Sequence, residues 1–159
     1  MKKIIIGSDK SGFPLKEAVK AHLIELGYEV EDCGTQSMDE PKPYFVVAPI
    51  LAEKISKKEY EKGILVCGTG MGMAIVANKY EGVYAAVCEN TYAAEKCRAI
   101  NDANVLTMGG WITADWVGCA IADTFLNTGF TENLEEWRKE FLTNAREQVK
   151  NIEQEIYHN

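Results

Sequence analysis

Short apolar runs alternate along the chain with stretches in which apolar residues recur at the spacing of a helix. The first run, KIIIGSD at 3–9, is rich in β-branched residues and ends in turn-forming residues. Residues 14–26 then begin with a proline, carry apolar side chains on one helical face, and end before Gly27. This pattern predicts a strand followed by a helix.

Four further pairs of the same kind follow. The predicted strands are 28–34, 62–68, 83–89 and 104–110, and the predicted helices are 44–58, 73–80, 90–101 and 112–129. Strand interiors such as IIIG and ILVCG are continuously apolar, which is typical of strands covered by helices on both faces. We therefore predict a three-layer α/β/α Rossmann-like domain with a five-stranded parallel sheet and right-handed crossovers. Pro49 lies inside the second predicted helix and is expected to kink it or delay its start.

The last part of the chain predicts one long helix over 133–157. Its apolar residues form a stripe that a small sheet is not expected to bury by itself: Leu134, Trp137, Phe141, Ala145 and Ile152. We predict that residues 1–130 form the Rossmann-like domain and that residues 131–159 carry a helix that packs on a partner subunit.

Composition and charge narrow the class of protein. The 159 residues are 47% hydrophobic and 26% charged, which is ordinary for one globular domain. The formal net charge is -7, and no run of Lys and Arg interleaves with aromatic residues, so nucleic acid is not an expected partner. The first apolar run is too short for a secretory signal, and no stretch approaches the about 18 apolar residues of a membrane span. We expect a cytoplasmic protein with no membrane partner.

Cysteines and histidines limit the chemistry. The five cysteines include no C-x-x-C pair and no nearby histidine, so reduced thiols are expected rather than disulfides or zinc ligands. The two histidines are His22, in the first predicted helix, and His158, next to the C-terminus. Neither is placed for a Ser-His-Asp triad or a Cys-His pair. His22 is predicted to be a partly buried helix residue.

The segment VCGTGMG, 66–72, joins the third predicted strand to its helix at the edge of the sheet where ligands bind in such folds. Its three alternating glycines allow backbone N–H groups to turn toward a ligand, and the helix N-terminus favours an anion. A dinucleotide fingerprint requires a further glycine where Met73 or Ile75 stands, and GSDKSGFP lacks the Lys-Ser/Thr of a nucleotide phosphate loop. A tight structural turn also explains the glycines, but it does not explain the preceding cysteine.

Cys67 ends the third predicted strand, beside a helix N-terminus that favours the thiolate. Because covalent attack usually needs an imidazole partner, the better match is removal of a proton from a carbon next to a carbonyl. That reaction requires one base and donors for the enediolate oxygen. The prediction depends on a thiol open to solvent and on loop amides that face the ligand. The other cysteines are predicted to fill the core: Cys33, Cys88, Cys97 and Cys119.

Three segments together resemble the ribose-5-phosphate isomerase B and galactose-6-phosphate isomerase family. They are GSDKSG, CGTGMGMAIVANK and RAINDANVLTMGG, and the similarity runs from Lys2 to about Phe130 and more weakly beyond. The resemblance implies aldose–ketose interconversion of a sugar phosphate through a cis-enediolate, without a metal or other cofactor. It also implies a homodimer or homotetramer with its sites at subunit interfaces.

The resemblance implies a role for each matching position. Cys67 would be the carbon base, Asp9 would reach the sugar hydroxyls, and Asn101 would contact substrate oxygens. The loop that stabilises the enediolate would be Gly68, Thr69, Gly70, Met71 and Gly72. Lys10 and Arg138 would hold the phosphate.

Four positions depart from the family pattern. Lys10 replaces a histidine, Ile100 replaces the histidine thought to open the sugar ring, Trp111 stands where many relatives carry Arg or Lys, and Leu134 stands at the first arginine of the tail motif. We therefore hypothesise a substrate that is already open-chain, such as a four-carbon ketose phosphate, or a sugar whose phosphate is held differently. Packing at a subunit interface, where aromatic residues are enriched, would also explain why Trp111 and Trp137 are tryptophans.

Other functions stay open from sequence alone. One is a galactose-6-phosphate isomerase-like subunit in a hetero-oligomer with a related chain, and another is a noncatalytic sugar-phosphate-binding protein. The intact loop around Cys67 argues against a silent binder. A nucleotide-dependent enzyme is the least favoured reading, because both nucleotide motifs are incomplete.

Overall fold

In the computed structural model, residues 2–159 form five strands and six helices, which alternate as far as α5 and are followed by a further helix, α6. The strands are β1 (Lys3–Ser8), β2 (Glu29–Asp32), β3 (Gly63–Cys67), β4 (Ala85–Val87) and β5 (Val105–Gly109). The helices are α1 (Phe13–Glu25), α2 (Tyr44–Ser56), α3 (Met71–Ala77), α4 (Thr91–Asn101), α5 (Asp115–Asn127) and α6 (Glu136–His158). None of these helices is both long and apolar enough to cross a membrane.

All strand pairs are parallel, in the order β2-β1-β3-β5-β4, so the predicted Rossmann-like sheet is confirmed. Successive residues of β1 alternate between two buried clusters. Ile4 and Ile6 pack with α1 and α5, whereas Ile5 packs with α2 and α3. Because helices cover both faces, the central strands β3 and β5 are buried along their whole length.

Several element boundaries differ from the sequence prediction. The edge strand β4 has only three residues, and α3 begins at Met71 rather than at 73. Its early start follows from Gly70, which precedes it with φ of 79°, a left-handed conformation that suits glycine. The helix α2 begins at Tyr44 and continues past Pro49, so the proline does not delay it. His22 is partly buried as predicted, and its Nε2 lies 2.8 Å from Oδ1 of Asp123.

A buried lysine links α1 to the loop that follows β2. The side chain of Lys16 is fully buried, and its Nζ donates to Oε1 of Glu17 at 2.5 Å, to Oδ2 of Asp32 at 2.6 Å and to the carbonyl of Thr35 at 2.8 Å. Burial acts to raise the pKa of Asp32, but hydrogen bonds from Lys16 and Lys20 outweigh it and lower that pKa. This ion cluster anchors one of the loops at the carboxyl edge of the sheet.

The long helix α6 packs against the opposite, amino edge of the sheet. Its Leu142 is buried, its Arg146 pairs with Asp102 at 2.9 Å, and its Glu153 accepts hydrogen bonds from the Tyr84 hydroxyl and the Gly82 N–H, both at 2.6 Å. The remaining large apolar side chains of the helix are exposed in the single chain: Trp137, Phe141, Val149, Ile152, Ile156 and Tyr157.

The predicted apolar stripe of this helix needs correction at one position, because Leu134 precedes the first helical residue, Glu136. Trp137, Phe141 and Ile152 are exposed in the single chain, as expected of a stripe that the sheet does not bury, whereas Leu142 packs inward. Packing of 131–159 on a partner subunit stays a prediction.

Candidate active site

Three loops meet at the carboxyl edge of the sheet, after β1, β3 and β5. A Cβ on Gly12 would lie 2.3 Å from the carbonyl oxygen of Val66, so the first loop packs directly on the end of β3. From the third loop, Gly110 N–H donates to the Cys67 carbonyl at 2.7 Å, and Trp111 N–H donates to the Gly68 carbonyl at 3.0 Å. The glycine loop is therefore held by backbone contacts on both sides.

Cys67 is the last residue of β3, and its thiol points into this arrangement. The Gly70 N–H donates to its Sγ at 3.1 Å, which stabilises negative charge on the sulfur. Only 3% of the residue is exposed in the single chain. This geometry corrects two expectations. The thiol is largely enclosed rather than open to solvent, and the Gly70 amide faces the sulfur rather than a ligand.

Thr69 lies at the turn between β3 and α3 and is half-buried. Its Oγ1 accepts a hydrogen bond from the Met71 N–H at 3.3 Å. Because the hydroxyl acts as the acceptor in that contact, its own hydrogen is available for a ligand. The Met71 side chain is exposed at the first turn of α3.

Asp9 and Lys10 lie in the loop after β1. The Gly12 N–H donates to Oδ1 of Asp9 at 2.9 Å, and burial raises the pKa of the Asp9 carboxyl although nearby backbone N–H groups act to lower it. Lys10 is exposed. The structure therefore brings Asp9, Lys10 and the glycine loop to one edge of the sheet, as the sequence predicted.

Two aromatic side chains cover the glycine loop, and sequence reasoning did not connect either with it. A Cβ on Gly68 would lie 2.8 Å from indole carbons of Trp111, and a Cβ on Gly72 would lie 2.9 Å from the Tyr44 ring. Trp111, in the loop after the fifth predicted strand, was noted as a departure from the family pattern and as interface packing, and Tyr44 only as the start of a helix. No local signal predicts these contacts, because they join residues more than 25 positions apart.

Asn101 and Arg138 are not brought to this edge within one chain. Asn101 ends α4, and Asn104, three residues later, accepts from the Gly63 N–H at the start of β3. Asn101 is therefore separated from Cys67 by the length of a central strand, about 13 Å. It lines a groove of about 250 Å³ between α4 and α6. Arg138 lies 3.6 Å from Glu135 and over the Trp137 ring.

The remaining thiols are associated with the two cores. Cys88 is buried in one cluster, Cys97 and Cys119 pack against that cluster, and Cys33 packs against the cluster that contains Cys67. Burial, with the nearby carboxylates of Asp32 and Glu31, raises the pKa of Cys33 to about 12. Cys33 is thus a neighbouring thiol that stays protonated at neutral pH.

The fold and the site define an α/β domain with a candidate ligand site at the carboxyl edge of a parallel sheet, built from a strand-end thiol and a glycine loop. Residues 4–142 match the family model described as Ribose/Galactose Isomerase. The chain belongs to this family of sugar isomerases, and it is an isomerase as predicted.

Relatives and solved structures agree with this membership. Over 155 residues the chain is 68% identical to the 4-deoxy-4-sulfo-D-erythrose isomerase of Clostridium sp. (strain MSTE9), with 98% of both chains covered. It is 40% identical over 151 residues to ribose-5-phosphate isomerase B of Escherichia coli (strain K12), covering 95% of this chain and all of the other. Among solved structures, ribose-5-phosphate isomerase B of Clostridium thermocellum superposes with a TM-score of 0.87 at 36% identity, covering 97% and 99% of the two chains.

Proposed function

We propose that this isomerase interconverts the aldose and ketose forms of a four-carbon sugar that carries a sulfonate at C4, namely 4-deoxy-4-sulfo-D-erythrose and its 2-keto isomer. The proposal is supported by the 68% identity, over nearly the whole of both chains, to an isomerase of that name. It also agrees with the open-chain, four-carbon hypothesis drawn from Ile100, although that hypothesis named a phosphate.

Ile100 is the residue of this chain that bears most directly on the substrate. A sugar with sulfur on C4 has no C4 hydroxyl, so it cannot close the five-membered hemiacetal ring, and closure through the C3 hydroxyl would give a strained four-membered ring. Its aldehyde therefore needs no proton transfer to open a ring. An isoleucine, which cannot transfer a proton, suits such a substrate.

The proposed reaction moves one proton between two carbons. Because Cys67 is only 3% exposed in the single chain, the proposal requires the glycine loop to shift when substrate binds, so that C2 of the aldose reaches the sulfur. Cys67 as thiolate then removes the proton from C2, and the C1 oxygen becomes the negative oxygen of a cis-enediolate. The Thr69 hydroxyl and the loop amides that do not bond Cys67 donate to that oxygen, each well-placed donor contributing on the order of 3 kcal/mol. The proton then returns to C1 while the C2 hydroxyl proton moves to the C1 oxygen, which yields the 2-ketose.

Substrate preference tests this proposal. The purified chain is expected to turn over 4-deoxy-4-sulfo-D-erythrose with a kcat/KM about 100-fold above that for ribose 5-phosphate, since ring opening of the pentose lacks an acid–base group. Coupled or NMR assays of C4, C5 and C6 aldose and ketose substrates measure this ratio. Efficient turnover of ribose 5-phosphate, with none of four-carbon substrates, would contradict the proposal.

A second copy of the chain is proposed to complete the site. Asn101 and Arg138 lie away from the carboxyl edge of their own sheet, and α6 leaves a large apolar face exposed. In a two-fold dimer, where residue i of one chain contacts residue j of its partner, j also contacts i, so one interface can bring opposite ends of the two chains together twice. Each site would then combine Cys67, Thr69 and Asp9 of one chain with Asn101 and Arg138 of the other.

Complementation between inactive variants tests this shared site. Asn101→Ala and Cys67→Ala are each expected to lose at least about tenfold in activity, whereas co-expression of both chains should restore about a quarter of wild-type activity. The quarter arises because about half of randomly formed dimers are mixed, and each mixed dimer contains one intact site of two.

The matched control pairs Cys67→Ala with Thr69→Ala, two changes at the same edge of one chain. Every site in that mixture carries one defect, so no activity should return. Recovery in the control, no recovery with Asn101→Ala, or full activity of Asn101→Ala alone would each contradict a site shared in this way.

A further inference from the structure

We propose that Trp111 sets the preference of the site for a singly charged sulfonate over a doubly charged phosphate. The inference rests on the proposed function, and it assigns Trp111 a contact with the anionic end of the substrate.

The position of Trp111 is fixed at the junction of the three site loops. Its N–H donates to the Gly68 carbonyl at 3.0 Å, and its indole ring lies against the Cα of Gly68. The preceding residue, Gly110, packs so closely on the first loop that a Cβ there would lie 2.6 Å from the Ser11 carbonyl oxygen. Although these backbone contacts fix its position, 73% of Trp111 is exposed. A large neutral ring is thus presented to solvent directly over the loop that follows Cys67.

The charge of the surrounding loops is low. Residues 9–12, 68–72 and 109–113 contain one cation, Lys10, and one anion, Asp9, so their formal charges cancel. The next loop along this edge adds Glu89, another anion. Arg138 of a second copy would raise the positive charge by one. With Arg138 included, the formal charges of these groups sum to zero, so the site holds no surplus positive charge to compensate the second charge of a phosphate.

The two anions differ in the charge that must be compensated. A phosphate monoester carries about -1.5 to -2 at pH 7, whereas a sulfonate carries a single charge throughout this range. The indole of Trp111 supplies one neutral N–H donor, while an arginine would supply a charged fork of five donors that matches phosphate. A neutral residue at this position therefore favours the sulfonate by leaving the second charge of a phosphate unpaired.

Three variants and two substrates test the role of Trp111. The ratio of kcat/KM for D-erythrose 4-phosphate to that for 4-deoxy-4-sulfo-D-erythrose is expected to rise about tenfold or more in Trp111→Arg, through KM rather than kcat. Trp111→Phe keeps a neutral ring and should keep the wild-type ratio. Trp116→Arg adds the same charge to another exposed tryptophan and controls for general electrostatic attraction.

A measurement on the wild-type enzyme is independent of folding effects in the variants. The second phosphate ionisation lies near pH 6, so the preference for sulfonate should shrink as the pH falls from about 8 to 5.5. Enzyme groups that act on the C1–C2 end, which the two substrates share, affect both alike and cancel in the ratio.

The outcomes separate the two proposals. An active Trp111→Arg enzyme with an unchanged ratio, an equal rise in Trp116→Arg, or a wild-type preference for phosphate would overturn the inference about Trp111. Failure of the wild-type chain to turn over either four-carbon substrate would instead overturn the proposed function.

Discussion

Replacement of Cys67 by alanine is expected to lower kcat about a thousandfold, because it removes the proposed base that takes the proton from C2. The same variant should lose incorporation of solvent deuterium at C2 of unreacted aldose, which mass spectrometry or NMR measures directly. The thiol is buried beside a loop held by backbone contacts, and only one small side chain changes, so the enzyme should stay folded.

Cys33→Ala is the matched control for this experiment. Cys33 packs against the same apolar cluster as Cys67, but its pKa is raised to about 12 by burial and nearby carboxylates. It cannot serve as a base near neutral pH, so its removal should leave turnover and exchange unchanged. If Cys67→Ala exchanged deuterium as fast as the wild type, another group would have to be the base. Binding of the substrate by the wild type without turnover would favour a noncatalytic binder.

Replacement of Lys16 by alanine is expected to lower the free energy of unfolding by about 3–5 kcal/mol, because the buried carboxylate of Asp32 loses its closest cation. For a chain of this size the expected fall in Tm is about 10 °C. Thermal or denaturant unfolding followed by circular dichroism measures both quantities. A Tm within about 2 °C of the wild type would show that the cluster contributes little.

Lys20→Ala provides the comparison, since its Nζ bonds the same Asp32 oxygen at 2.9 Å but its side chain is 23% exposed. Solvent screens this pair, so the expected loss is about 1 kcal/mol or less. Lowering the pH should also reduce the loss of stability that Lys16→Ala causes. The pKa of Asp32 is lowered in the folded protein, so its stabilisation is present above the ordinary aspartate pKa and is lost as the pH falls through the lowered one.

Sequence reasoning correctly predicted the architecture and gave approximate element positions. The apolar strands and helical repeats are local patterns, and each strand–helix pair favours a right-handed parallel crossover, so five pairs lead to this sheet. Boundaries were less accurate where tertiary contacts decide them. The edge strand β4 has only three residues, and α6 begins at Glu136 rather than at 133.

The candidate site was predicted only in part. The ends of β1 and β3 hold Asp9, Lys10, Cys67 and the glycine loop. Because parallel strands end at the same edge of a sheet, the proximity of these residues could be predicted from their spacing in the sequence. Asn101 and Arg138 were assigned to the site by the family resemblance rather than by their spacing in the sequence. The structure separates Asn101 from Cys67 within one chain, because α4 ends where β5 begins, and it places Arg138 in α6, where it contacts Glu135 and Trp137.

The amino-acid sequence by itself determined the order of strands and helices, the family, and the thiol followed by three glycines. These features depend on residues close together in the chain, whose periodicity and backbone freedom act locally. Only the tertiary structure decided that Trp111 covers Gly68, that Tyr44 covers Gly72, that Lys16 is buried between carboxylates, and that Cys67 is nearly enclosed. Each of those contacts joins distant segments, so it arises from how the packed layers position their loops.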